Sequence, residues 1–197
     1  MRLRKFLWVL CWLPALAWAH HGAKGVSGLA DVTVWIVRHA EKADSGDGLS
    51  PQGEQRATAY ATYFDPLQWD GDTYLPQRLI ATSDSKESIR PRLTLTPLSQ
   101  RIGLPIEQPW ADEQVDALVK SLRKQNQAKV VLIAWHHGHI PKLIDAFGGK
   151  AKDLLGSKSW PDDVYNWLVI LHFDHDGKLQ EKHSQRVLEH VLPSDGG

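Results

Sequence analysis

Two apolar runs constrain this chain more than anything else in it: residues 32–37, VTVWIV, and residues 129–135, KVVLIAW. Continuous β-rich runs of this length, with no polar alternation, suit strands buried on both faces of a sheet. Each run stops abruptly at polar residues, the first at Arg38 and His39, the second at His136 and His137. Helix-like pieces stand between them. The stretch 51–64 has Ser50 as N-cap, Pro51 at the first helical position and Glu54 in a capping-box-like turn. Residues 88–101 read as a helix with Pro91 in its first turn, and Pro97 is expected to kink or shorten it. Residues 112–125 place Val115, Leu118, Val119 and Leu122 at helical spacing, and 141–147 form a short helix stopped by Gly148 and Gly149. A further short strand starts at Arg78. The runs YNWLVILHF and 178–185, joined by Asp176-Gly177, predict an antiparallel C-terminal hairpin.

Strands that alternate with helices imply a three-layer α/β/α domain around a mostly parallel sheet. At 197 residues and with no internal repeat, one such domain is expected, over 31–197. Residues 20–30, HHGAKGVSGLA, are Gly-rich and aperiodic, and read as a flexible leader. Ahead of them, Arg2, Arg4 and Lys5 precede the apolar run FLWVLCWLPALAW, and Ala17 and Ala19 occupy the two small-residue positions of a signal cleavage site. The run is broken by Pro14 and is shorter than the roughly 20 apolar residues of a membrane span. A cleavable export signal over 1–19, cut after Ala19, is therefore expected, with a periplasmic or secreted product and no stable membrane anchor. Cleavage removes three of the 23 basic residues and none of the 23 acidic ones, so the formal charge falls to about −3. A slightly acidic chain carries no nucleic-acid footprint. The single cysteine, Cys11, leaves with the signal, which excludes thiol chemistry and cysteine-ligated zinc in the exported protein.

In open α/β sheets ligands gather at the carboxyl ends of the strands. Arg38-His39 and His136-His137 are therefore placed to converge, however far apart they lie in sequence. An Arg-His pair at a strand end is, taken alone, most often a solvated exit, and Arg90 alone a surface helix residue. The ordered set of motifs changes that. VRHAEK, then LSPQGEQRA, then ATSDSKESIRPRLTLTPLSQRIGLP, then VVLIAWHHGHIPKLI resembles the histidine phosphatase superfamily, which includes phosphoglycerate mutases and many phosphatases. The likeness extends over nearly the whole mature chain, with Gly53 after the leucine and Ser88, Arg90 and Thr94 in the family's spacing.

The resemblance implies a phosphoglycerate mutase-like fold and hydrolysis of a small phosphorylated substrate through a phosphohistidine, with neither metal nor cofactor. By the match, His39 is the nucleophile. It must present a neutral imidazole, so its other nitrogen is expected to donate to a backbone carbonyl. Arg38 and Arg90 supply planar forks for the phosphoryl oxygens. A second histidine completes the pocket. Counting two positions from Trp135 selects His137, which is the placement adopted; aligning Ile140 with the isoleucine of the commoner Gly-His loop selects His136 instead. His139 is assigned to the pocket wall or the helix start. The third residue of the first motif is Ala40 rather than the usual glycine. For the proton donor that a leaving alkoxide needs, Asp112 and Glu113 are the nearest candidates by order, although an acidic pair opening a helix also suits the helix dipole. Glu41 and Lys42 read as an exposed pair, and the loops 65–76 and 150–163 as the substrate-selecting segments.

Two other classes fit parts of the chain. A non-catalytic member of the fold would bind a phosphorylated ligand without turnover. A periplasmic metal-binding protein would use the His136–His139 cluster with His20 and His21, but adjacent histidines on a strand point to opposite faces.

Overall fold

The computed structural model describes residues 27–196. The proposed signal, along with His20 and His21, lies outside the described residues. The elements in chain order are β1 (Thr33–Arg38), α1 (Pro51–Tyr63), β2 (Leu67–Trp69), β3 (Asp72–Tyr74), β4 (Arg78–Ala81), α2 (Arg90–Ile102), β5 (Ile106–Glu107), α3 (Val115–Gln125), β6 (Val130–Trp135), α4 (Ile140–Ala146), α5 (Ala151–Leu155), β7 (Trp167–His172) and β8 (Gln185–Leu188). Six strands form one sheet in the order β5-β4-β6-β1-β7-β8. Its first four strands are parallel, and β7 and β8 run antiparallel.

Alternation along the buried strands divides the core in two. Val34, Ile36, Val131, Ile133 and Trp135 pack toward α3, α4 and α5, while Trp35, Val37, Leu132 and Ala134 pack toward α1 and α2. The three-layer architecture expected from the alternation of elements is the one observed. All residues of β1 and β6 are buried, which explains why both runs lack a polar face. Among the described residues no helix is long and apolar enough to cross a membrane.

Several local expectations are corrected. Ser50 does cap α1, accepting from Gly53 N at 3.1 Å, but its own N–H donates to Glu41 O at 2.9 Å, so Glu54 closes no capping box. Helix α2 runs through Pro97 to Ile102 and is not shortened. Helix α3 opens at Val115, leaving Asp112 and Glu113 in the preceding turn, outside the helix. The partner of β7 is Gln185–Leu188, and only a single bridge, Phe173 to Leu179, forms nearer the Asp176-Gly177 turn. The segment 65–76 holds a second, two-stranded sheet whose turn places Asp70 and Gly71 at φ of 50° and 82°. Its Leu67, Trp69 and Tyr74 pack on the α1/α2 side of the core, so this segment does not line the candidate site. At the amino end, the last part of the expected leader is packed: Leu29 is fully buried and Gly28 N donates to Arg123 O at 2.8 Å. A Cβ on Gly28 would stand 2.1 Å from Leu122 O, so this contact requires glycine.

Candidate active site

Strand register decides which side chains meet. Parallel β1 and β6 pair Val37 with Ala134 and Arg38 with Trp135, and His39 N continues the ladder by donating to Trp135 O at 2.9 Å. The next residues in register are His39 and His136, which therefore leave the sheet on the same face, about one strand spacing apart. Their rings pack edge to face with centroids 5.0 Å apart. His137 follows in the turn after β6, where it lines the same pocket with its Nε2 2.9 Å from Asp162 Oδ1. The ring that packs against His39 is therefore that of His136, whereas the count from Trp135 had selected His137.

His39 is 3% exposed, and its Nδ1 lies 2.7 Å from Ala40 O. A carbonyl can only accept, so Nδ1 carries the proton and Nε2 keeps its lone pair. Burial lowers the imidazole's pKa from 6.5 to about 3; the Ala40 carbonyl works against that shift, and His136, Arg38 and Arg90 add to it. His136 is likewise lowered, first by burial. Ala40 N donates to Thr94 Oγ1 at 2.8 Å, and that hydroxyl donates to Arg90 O at 2.8 Å. One threonine therefore ties the residue after His39 to the first turn of α2. Gly53 has a similar role from α1, since a Cβ there would meet Glu41 O at 2.3 Å.

Arg38 is 2% exposed and held by the 161–165 loop. Its Nη1 donates to the carbonyls of Pro161, Asp162 and Val164 at 3.1, 2.7 and 3.0 Å. Its Nη2 donates to Tyr165 Oη at 3.1 Å, and its Cζ sits 3.8 Å above the Tyr165 ring. Arg90 starts α2, and Arg92 pairs with Asp84 at 2.8 Å. Burial works against both the Arg38 and Arg90 charges. Arg38, His39, Arg90, Asp112, Glu113, His136, His137 and His139 all line one open pocket of about 720 Å³, so every sequence-predicted site residue reaches it. Among the described residues, six buried side-chain polar atoms lack a hydrogen-bond partner, and four of them belong to this pocket: Arg38 Nε, Arg90 Nε, Asp112 Oδ1 and His137 Nδ1. Such orphans are uncommon in folded proteins, and two of these are guanidinium donors. An anion is the ligand class that suits the two guanidinium groups.

The three imidazoles of the HHGH stretch diverge, His136 to His39, His137 to Asp162 and His139 to Asp112. Among the described residues no group of three or more His, Cys, Asp or Glu is arranged to hold a metal ion. Sequence reasoning missed the support beneath the pocket. Glu41 is no exposed partner of Lys42: it accepts from Arg56 Nε and Nη2 at 3.0 and 2.8 Å, and Arg56 also binds Asp195 at 2.6 and 3.1 Å. An arginine near the start of an amphipathic helix gives no sequence signal of a partner 139 residues away.

No family model matches the chain, and no curated protein matches it in sequence. Solved structures do match it in fold. A structure from Escherichia coli, proposed to be an alpha-ribazole-5′-P phosphatase, is 14% identical and aligns over 82% of this chain and 98% of its own, with a TM-score of 0.55. The protein histidine phosphatase SixA complexed with tungstate is 18% identical over 78% of this chain and 96% of its own, with a TM-score of 0.52. Phosphoserine phosphatase from Entamoeba histolytica, in complex with 3-phosphoglyceric acid, is 11% identical over 82% of this chain and 100% of its own, also at 0.52. At these identities the likeness speaks for the fold. The chain shares the phosphoglycerate mutase-like fold of these structures, the fold its motifs implied.

Proposed function

We propose that the protein is a phosphatase that hydrolyses a small phosphorylated compound through a phosphohistidine on His39. The observation that carries this reading is the state of His39: buried, neutral, and fixed by Ala40 O in the tautomer that leaves Nε2 as a lone pair, in the same pocket as two arginines with unpartnered donors. In the first half-reaction the Nε2 lone pair attacks phosphorus as the bond to the leaving oxygen breaks. In the second, water attacks the phosphohistidine and returns the imidazole. The transferred group spreads charge over its equatorial oxygens, so fixed cationic donors contribute most of the catalysis. Arg38 and Arg90 supply them, and His136, stacked edge-on to His39, is the second histidine of the pocket. Neither half-reaction calls for a metal, and full activity is expected after exhaustive chelation.

The fold neighbours support this class, because the named activities of those compared above are all phosphatases. They differ in leaving group, so substrate identity is a matter for screening. The test is a panel of phosphomonoesters offered to the purified protein beside its His39→Ala variant. Turnover lost in the variant and inhibited by vanadate supports the reading. Tight phosphate binding with no turnover would support a phospho-ligand-binding protein instead. We further propose that the protein acts outside the cytoplasmic membrane, on the strength of the basic and apolar leader and its Ala17 and Ala19. Mass spectrometry of a periplasmic extract is expected to find a chain that begins at His20, and an intact Met1 on a membrane-bound form would contradict export.

A further inference from the structure

His139, expected at the pocket wall or the helix start, occupies both places: it lines the pocket and precedes α4. Its Nδ1 lies 2.7 Å from Asp112 Oδ2. Both partners are held by their backbones. Asp112 O accepts from Trp135 Nε1 at 3.0 Å, and the turn around it is closed by Gln114 N to Ala111 O at 3.0 Å and Ala111 N to Gln114 Oε1 at 2.9 Å. His139 N donates to His136 O at 3.0 Å, and His139 O accepts from Leu143 N at 2.9 Å in the first turn of α4. The second oxygen, Asp112 Oδ1, is buried and has no partner among the described residues, although Asp112 lines the pocket that contains His39 and His136. Glu113, the other acidic candidate, is exposed, and no side chain among the described residues pairs with it. The carboxyl group with one oxygen fixed and the other without a partner is therefore Asp112.

We propose that His139 is a positioning residue for proton transfer: its Nδ1–H holds Asp112 Oδ2, so that Asp112 Oδ1 faces the reacting oxygen. This rests on the phosphatase reading above. As the phosphorus–oxygen bond breaks and the bond to His39 Nε2 forms, the proton on Asp112 Oδ1 passes to the leaving oxygen. In the second half-reaction, water forms its bond to phosphorus as the bond to His39 breaks, and its proton returns to the Asp112 carboxylate. Atoms and protons balance over the cycle. The Nδ1–H of His139 keeps the carboxylate aligned between the two steps.

The test uses aryl phosphates whose phenols differ in acidity, because an acidic phenol leaves without help and a weakly acidic one needs a proton. For wild type, kcat/KM should depend weakly on phenol acidity. In Asp112→Asn and His139→Ala the ratio of kcat/KM on the most acidic phenol to that on the least acidic should rise roughly 100-fold over wild type, in the range of general acid catalysis. His139→Asn, whose amide can donate from near the position of Nδ1, should restore most of the loss. Parallel losses across the series, or none, would overturn the proposal, since a purely structural histidine would affect every ester alike. If wild type hydrolyses no aryl phosphate, the phosphatase reading is what fails. The clamp is then judged by ¹⁵N NMR of His139: an Nδ1–H tautomer released in Asp112→Ala supports it, and the same tautomer in both proteins overturns it.

Discussion

Replacing Arg56 with methionine removes the cation from a buried cluster and leaves its carboxylates behind. The side chains of Arg56, Glu41 and Asp195 are 2%, 12% and 3% exposed, and both carboxylates bind the guanidinium. Breaking a buried ion pair by deleting one partner costs about 3–5 kcal/mol, because the remaining charge stays desolvated. Here two charges remain, so the upper half of that range is expected, a large share of the roughly 5–15 kcal/mol that holds a domain of this kind together. Glu189, fully buried and pushed up to about 8, is mostly protonated at neutral pH and adds little further charge. Urea unfolding at pH 7 reads the loss directly. The sign of its pH dependence separates charge from packing. Burial works to raise the Asp195 pKa, but Arg56 and the backbone donors of Leu192 and Val191 outweigh it and hold it below its ordinary value, which gives wild type stability above the unfolded carboxyl range that is lost as pH falls. In the variant Asp195, without the guanidinium, takes up its proton more readily than in wild type, so the difference between the two proteins should shrink from pH 7 toward pH 4. The double variant Arg56→Met/Asp195→Asn should recover part of the loss at pH 7. A difference that stays constant with pH, or a double variant less stable than the single one, would refute the electrostatic argument and leave only a packing defect.

Three further outcomes follow from the pocket. Thr94→Val strands the buried Ala40 N–H and is expected to cost about 1–3 kcal/mol in urea unfolding, with a lower kcat because the loop after His39 is untied from α2. His136→Asn should reduce kcat at least 100-fold, as expected for loss of a pocket donor, while His137→Asn should change it less than tenfold, and the opposite order would restore the placement counted from Trp135. His39, near 3 in the fold against 6.5 unperturbed, stays neutral in the native state, so the unfolded chain binds the extra proton at mildly acidic pH. Its contribution to stability is full above about 6.5 and falls by about 1.4 kcal/mol per pH unit toward 3. Between pH 6 and 4 the stability of His39→Asn should therefore depend on pH less steeply than that of wild type, and equal slopes would contradict a buried neutral imidazole.

What could be read from the sequence divides along physical lines. β1, β6 and α1 were legible because burial on both faces and N-capping leave local marks, in VTVWIV, KVVLIAW and Ser50-Pro51. The β2–β3 hairpin also had a local mark, Asp70-Gly71, but its flanking residues carry too little apolar alternation to read as strands. The ordered motifs brought every site residue to one pocket. They could not tell His136 from His137, because that choice depends on the register of two strands about a hundred residues apart, and register leaves no trace in either strand alone. The Arg56 cluster and the His139–Asp112 pair were hidden for the same reason, each being a contact between distant segments whose members, taken singly, resemble surface residues.

The central claim is that a phosphoryl group resides on His39 during turnover. Rapid mixing of enzyme with an aryl phosphate, an alkaline quench after milliseconds, and mass spectrometry of the peptide that contains residues 32–42 tests it most directly. The account predicts one added phosphoryl group on His39, stable in alkali and lost in acid, that forms within the first turnover and is missing from His39→Ala. A fully active enzyme whose His39 peptide carries no phosphoryl group at any time point, or turnover that persists in His39→Ala, would contradict it.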